Sequence, residues 1–105
     1  MTNHKLVLTT APSQEEASKI AHALVDRRLA ACVNIIPQVQ SVYRWKEKVE
    51  QSNEFILLIK TFGTAMNEVR STIEELHPYE VPECISFAIE DGSLACLKWI
   101  DNSVK

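Results

Sequence analysis

A chain of 105 residues, 46% hydrophobic and 24% charged, has the composition of one ordinary globular domain, long enough to bury a core without disulfides or structural metal. A net charge of −3, with no Lys/Arg block longer than Arg27 and Arg28, argues against nucleic acid and anionic lipid as partners. Cys32, Cys84 and Cys96 lie far apart without a CxxC pair, which argues against a disulfide framework or a zinc ribbon, and no apolar run approaches the roughly 18 residues of a membrane span.

In chain order, residues 5–10 (KLVLTT) read as a first strand that stops at Ala11 and Pro12. Ser13 stands three residues before Glu16, a capping box, and Ala17, Ile20, Ala21 and Leu24 follow at helical spacing, so a first helix is expected over residues 14–28. Residues 31–36 (ACVNII) form a second strand, broken or bulged at Pro37 and continued by residues 41–45 (SVYRW). Residues 46–53 read as a polar hairpin tip, and residues 54–61 (EFILLIKT) as a third strand. Both faces of that strand are apolar, Phe55, Leu57 and Ile59 on one and Ile56 and Leu58 on the other. Helices can cover only one of them, so the other predicts an oligomer.

After Gly63, the apolar residues Ala65, Met66, Val69, Ile73 and Leu76 predict a second helix that ends before Pro78. Residues 84–89 (CISFAI) give a fourth strand, Asp91 and Gly92 a turn, and residues 94–100 a short terminal helix. The order βαββαβ implies an α+β, ferredoxin-like sandwich over residues 1–105: a four-stranded antiparallel sheet with a long hairpin and two helices on one face.

Chemistry is concentrated in LHPYEVPE, residues 76–83. His77 could carry a proton or bind a metal, but a single imidazole at a helix end more often caps that end. Tyr79, Glu80 and Glu83 sit among Pro78 and Pro82, which hold the backbone extended, so a rigid connector with solvated carboxylates competes with a recognition or acid/base site. Cys32 reads as a small buried residue, Lys60 as a solvated strand end, and Tyr43 with Trp45 as core or interface anchors on one strand face. With two glycines and no GxGxxG, P-loop, GxSxG or HExxH, a phosphate loop and the common enzyme motifs are absent.

The pieces VLTTAP (7–12), RLAACVNIIP (28–37), SVYRWKEKVE (41–50), IKT (59–61) and ELHPYEVPE (75–83) together resemble the CutA family, the divalent-cation tolerance proteins, along the whole chain. The resemblance implies a cytoplasmic homotrimer with crossing hairpin strands. It further implies tolerance and weak binding of divalent metal ions, copper (Cu2+) especially, with no organic cofactor and no enzymatic reaction. Of the ligand positions proposed in metal-binding members, two carry Thr9 and Leu76 here and only His77 carries over as a metal candidate. The same resemblance places Cys32, Lys60, His77, Tyr79 and Glu83 near a cleft between subunits, and puts Glu47 where the hairpin commonly has glycine. Two alternatives stay open: a PII-like small-molecule-binding or signalling module that uses this cleft, and a structural assembly protein without metal function.

Overall fold

The computed structural model describes residues 3–105. Its elements are β1 (His4–Ala11), α1 (Gln14–Asp26), β2 (Cys32–Trp45), β3 (Lys48–Phe62), a 3-10 turn (Gly63–Ala65), α2 (Met66–Leu76), β4 (Ile85–Ala88) and α3 (Leu94–Ser103). They build an α+β domain whose four strands are ordered β2-β3-β1-β4, with every neighbouring pair antiparallel.

The expected cap of α1 is present: Ser13 is extended and its hydroxyl accepts the Glu16 N–H at 3.1 Å. Ala17, Ile20, Ala21 and Leu24, spaced at 3 and 4 residues, form the buried face of the helix. The helix stops at Asp26 rather than at 28, because Arg28 turns left-handed at φ 59. The Leu29 N–H then reaches back to Leu24 O and the Arg28 N–H to Val25 O, a Schellman closure made without glycine. From this turn the Arg28 guanidinium reaches the Asn102 and Ser103 carbonyls at 2.8 and 3.2 Å, tying the end of α1 to the C-terminal end of α3. That non-local cap, with the Ser103 hydroxyl on Trp99 O, carries α3 past the expected residue 100.

Side chains alternate along the strands, so each face can be read from the register. Val7, Thr9, Ala11, Leu57, Ile59 and Thr61 point to the helices and are buried, packed with Ile20, Leu24, Val69 and Ile73. Full burial of each large aliphatic side chain contributes about 1.5–3 kcal/mol. The opposite face carries Leu6, Leu8, Ile36, Ile56, Leu58, Ile85 and Phe87, aligned by the pairs Leu6↔Lys60, Leu8↔Leu58, Leu6↔Phe87 and Ile36↔Ile56. No helix covers its centre. Ile36, Ile85 and Phe87 remain 42%, 47% and 51% exposed, so the double-sided apolarity of β3 reflects a sheet face left open in the single chain.

The hairpin departs most from expectation. Residues 46–53 are not a tip, because β3 begins at Lys48 and pairs with β2 as far as Trp45↔Lys48. The connection is two residues, Lys46 and Glu47, both left-handed at φ 49 and 74, the geometry of a type I′ turn. Glu47, in place of glycine, puts a Cβ into a conformation that costs about 1–2 kcal/mol. Glu47→Gly is expected to raise stability by about 0.5–1 kcal/mol after the extra entropy of glycine in the unfolded chain is subtracted, read as a higher midpoint in thermal unfolding at fixed concentration. The bulge expected at Pro37 is present: the register jumps between Ile36 and Val39, with Gln38 at φ 61.

Three smaller expectations are corrected. Lys60 is not a strand end, since β3 continues to Phe62 and Lys60 lies mid-sheet between Cys32 and Leu6. Cys32 is half-buried rather than fully buried, because it lies on the open face. β4 shrinks to Ile85–Ala88, since it pairs only with β1 and only opposite Lys5 to Leu8.

Candidate functional site

LHPYEVPE leaves α2 at Leu76 and returns to the sheet at Ile85, so its first residues lie over the end of β1. His77 closes α2, its N–H donating to Ile73 O at 2.9 Å as the backbone turns extended. The ring is buried, 8% exposed, and both nitrogens are engaged: Nε2 meets Thr10 O at 2.5 Å and Nδ1 accepts the Tyr79 N–H at 3.1 Å. An amide N–H can only donate and a carbonyl can only accept, so the partners themselves fix the proton on Nε2. His77 thereby latches the connector to β1 and places Tyr79, whose ring centroid lies 4.7 Å from its own.

Tyr79 in turn donates its hydroxyl to Glu54 Oε2 at 2.7 Å. Glu54 stands at the hinge where β3 passes from the projecting hairpin into the sheet, opposite Val39, and is only 6% exposed. Desolvation, followed by the hydrogen bond to Glu54 and the charge of that carboxylate, raises the Tyr79 phenol well above the usual tyrosine range. A neutral form favoured in the folded state makes stability fall as pH climbs past the unfolded phenol pKa of about 10, where the unfolded chain has released the proton and the folded chain still holds it. Wild type is therefore expected to lose more of its unfolding midpoint above that pH than Tyr79→Phe; parallel profiles would remove Tyr79 as the source.

Tyr79, Glu80 and Glu83 form one wall of a cleft of about 670 Å³, and Tyr43, Trp45 and Glu54 of the hairpin form the other. Of the five residues that the resemblance places near a cleft between subunits, Tyr79 and Glu83 line this cleft of the single chain, and His77 holds the Tyr79 backbone. Cys32 and Lys60 lie elsewhere, paired across β2 and β3 on the open sheet face, four residues along β3 from the Thr10↔Ile56 pair. The Cys32 thiol contacts Asn34 Oδ1 at 3.8 Å. Within one chain the five positions thus fall into two groups. Glu54 was not legible as a site residue: it reads as the polar start of a strand, and nothing local connects it to a tyrosine 25 residues later.

Among the described residues, no three His, Cys, Asp or Glu side chains converge as metal ligands would. Thr9, at an expected ligand position, is fully buried on the helix side of β1, and Leu76 packs half-buried against the core. A metal at His77 would have to displace either the Tyr79 N–H or the Thr10 carbonyl from the ring.

The sequence model of the family described as CutA1 divalent ion tolerance protein matches residues 5–103. The chain belongs to that family. It is 45% identical over 96 residues to the divalent-cation tolerance protein CutA of Thermus thermophilus, covering 91% of this chain and 93% of that protein. The solved structure of the Thermus thermophilus divalent cation tolerance protein superposes with a TM-score of 0.95 at 42% identity, over 97% of this chain and 99% of that one. A structure described as the periplasmic divalent cation tolerance protein CutA from Archaeoglobus fulgidus gives 0.94 at 40% identity, over 97% and 99%. Human Protein CutA is 42% identical over 91 residues, 87% of this chain, and the chain spans about half, 51%, of its length. The family description and the names of the Thermus thermophilus and Archaeoglobus fulgidus relatives speak of divalent-cation tolerance and of no reaction.

Proposed function

We propose that this chain is a homotrimeric, cytoplasmic divalent-cation tolerance protein, not an enzyme, that binds divalent ions weakly, copper foremost, as part of the cell's response to them. The family match across residues 5–103 carries this reading. The open apolar face of Leu6, Leu8, Ile56, Leu58, Ile85 and Phe87 supports assembly, because an apolar surface of that extent is stabilised when a second copy covers it. His77 is the metal candidate, and weak affinity follows from its surroundings: copper must displace one of two existing hydrogen bonds and, among the described residues, finds no converging set of ligands in the same chain.

Calorimetric titration of the metal-free protein with copper tests the reading. Heat of binding in wild type and its loss in His77→Ala are expected. Equal binding in both removes His77 from the site, and no binding to either sinks the metal reading. One observation favours the second reading, a PII-like small-molecule module: the cleft between Tyr79 and the hairpin is large enough for a small ligand. A metabolite screen by thermal shift that raises the midpoint of wild type, without metal, would shift the balance toward it.

A further inference from the structure

The cleft beside Tyr79 has a composition that a divalent-cation role does not use. Three aromatic rings border it, Tyr43, Trp45 and Tyr79, which are 43%, 40% and 37% exposed in the single chain although each is large enough to be an anchor. Glu54 is almost wholly buried, yet it lines the cleft. One of its oxygens accepts the Tyr79 hydroxyl, a neutral donor that orients the side chain. Glu80 and Glu83 add two further carboxylates, and no Lys, Arg or His lines the cleft among the described residues. Lys46 stands 5.6 Å from the Trp45 ring centre, outside the lining and exposed on the hairpin tip, a cation already drawn to one of these rings.

We propose that this cleft is a binding site for a small organic cation of the alkylammonium class, with the ammonium on Glu54 and its carbon chain against Tyr43, Trp45 and Tyr79. A buried carboxylate without a facing cation is an incomplete ion pair, and a ligand ammonium completes it with a charge-assisted N–H···O bond. Aromatic faces attract the same charge and shelter the attached alkyl groups. A bare divalent metal fits less well. Glu54, Glu80 and Glu83 do not converge as a ligand group, and the aromatic walls offer a metal few donor atoms. An anionic ligand is opposed by all three carboxylates. The His77 latch positions the site without entering it, since His77 holds the Tyr79 backbone and Tyr79 holds Glu54.

The test is titration of the chelator-treated full-length protein with n-butylammonium, followed by the fluorescence of Trp45, with n-butanol as the uncharged probe of equal length. Trp45→Phe isolates the Trp99 signal. The expected result is saturable binding of n-butylammonium about tenfold or more tighter than n-butanol, reduced by a similar factor in Glu54→Gln. A Glu83→Gln variant, at an exposed residue of the lining, should lose only a few-fold. Equal binding of the two probes, or an unchanged affinity in Glu54→Gln with native mass and midpoint, overturns the proposal. Because metal is absent throughout, failure here leaves the copper reading standing, and loss of copper binding in His77→Ala leaves this one standing.

Discussion

Leu58→Glu is expected to break the proposed assembly into folded monomers. Leu58 lies at the middle of β3 on the open face, between Leu8 of β1 and Asn34 of β2. Its neighbours Leu57 and Ile59 point the other way and are fully buried under the helices, so the substitution leaves the monomer core intact. In a trimer that covers this face, each copy would bury a carboxylate among apolar neighbours, with Lys60 the nearest cation in sequence on the same face. A penalty of about 3 kcal/mol per subunit weakens association roughly 100-fold. Light scattering at micromolar protein should then report the mass of one 11.9 kDa chain, with native far-ultraviolet dichroism retained. Lys19→Glu, on the exposed side of α1, is the control and should keep the wild-type mass. Wild-type protein that is monomeric at every concentration would remove the assembly reading altogether.

The same alternation explains which parts of the fold were legible in the sequence. α1 and α2 announce themselves because one packed face repeats at 3.6 residues, and Ser13 with Glu16 marks the first start. The central half of β3 is legible for the opposite reason, two apolar faces in a run too short for a membrane. Its first half, KVEQSN, is polar because every residue of it but Ser52 is exposed, so no alternation is needed. Strand pairing there is set by the two-residue turn, and Glu47 in the place of glycine hides the turn's usual mark. α3 ends where Arg28 reaches its last carbonyls, a contact 74 residues distant that no local pattern encodes.

For the site, the legible part was the connector itself, since two prolines and clustered polar groups stand out in any reading of residues 76–83. What stayed hidden was who faces it. Tyr43 and Trp45 were visible as a pair on one strand face, but only the hairpin's full length brings them opposite Tyr79. The resemblance put Cys32 and Lys60 near a cleft between subunits; within the single chain they are partners across two strands, because the register sets Lys60 four residues beyond the end of β1 that His77 touches.

His77→Ala is expected to cost about 2–4 kcal/mol of stability in the absence of any metal. Truncation removes a buried ring, and it also leaves the Thr10 carbonyl and the Tyr79 N–H without their partner in a place where water has little access. Each orphaned group of this kind costs about 1–3 kcal/mol, and part of that is recovered as the connector relaxes toward solvent. Relaxation has its own signature, because Tyr79 then loses the anchor that aims it at Glu54. The tyrosine-linked loss of stability at high pH should therefore flatten in His77→Ala as it does in Tyr79→Phe, an effect that simple loss of packing would not produce. His77→Gln, which can still donate to the Thr10 carbonyl, should recover part of the midpoint but not copper binding. If chelator-treated His77→Ala matches wild type in midpoint and in its high-pH profile, the latch is not what holds this segment. The imidazole would then be free to serve a metal alone.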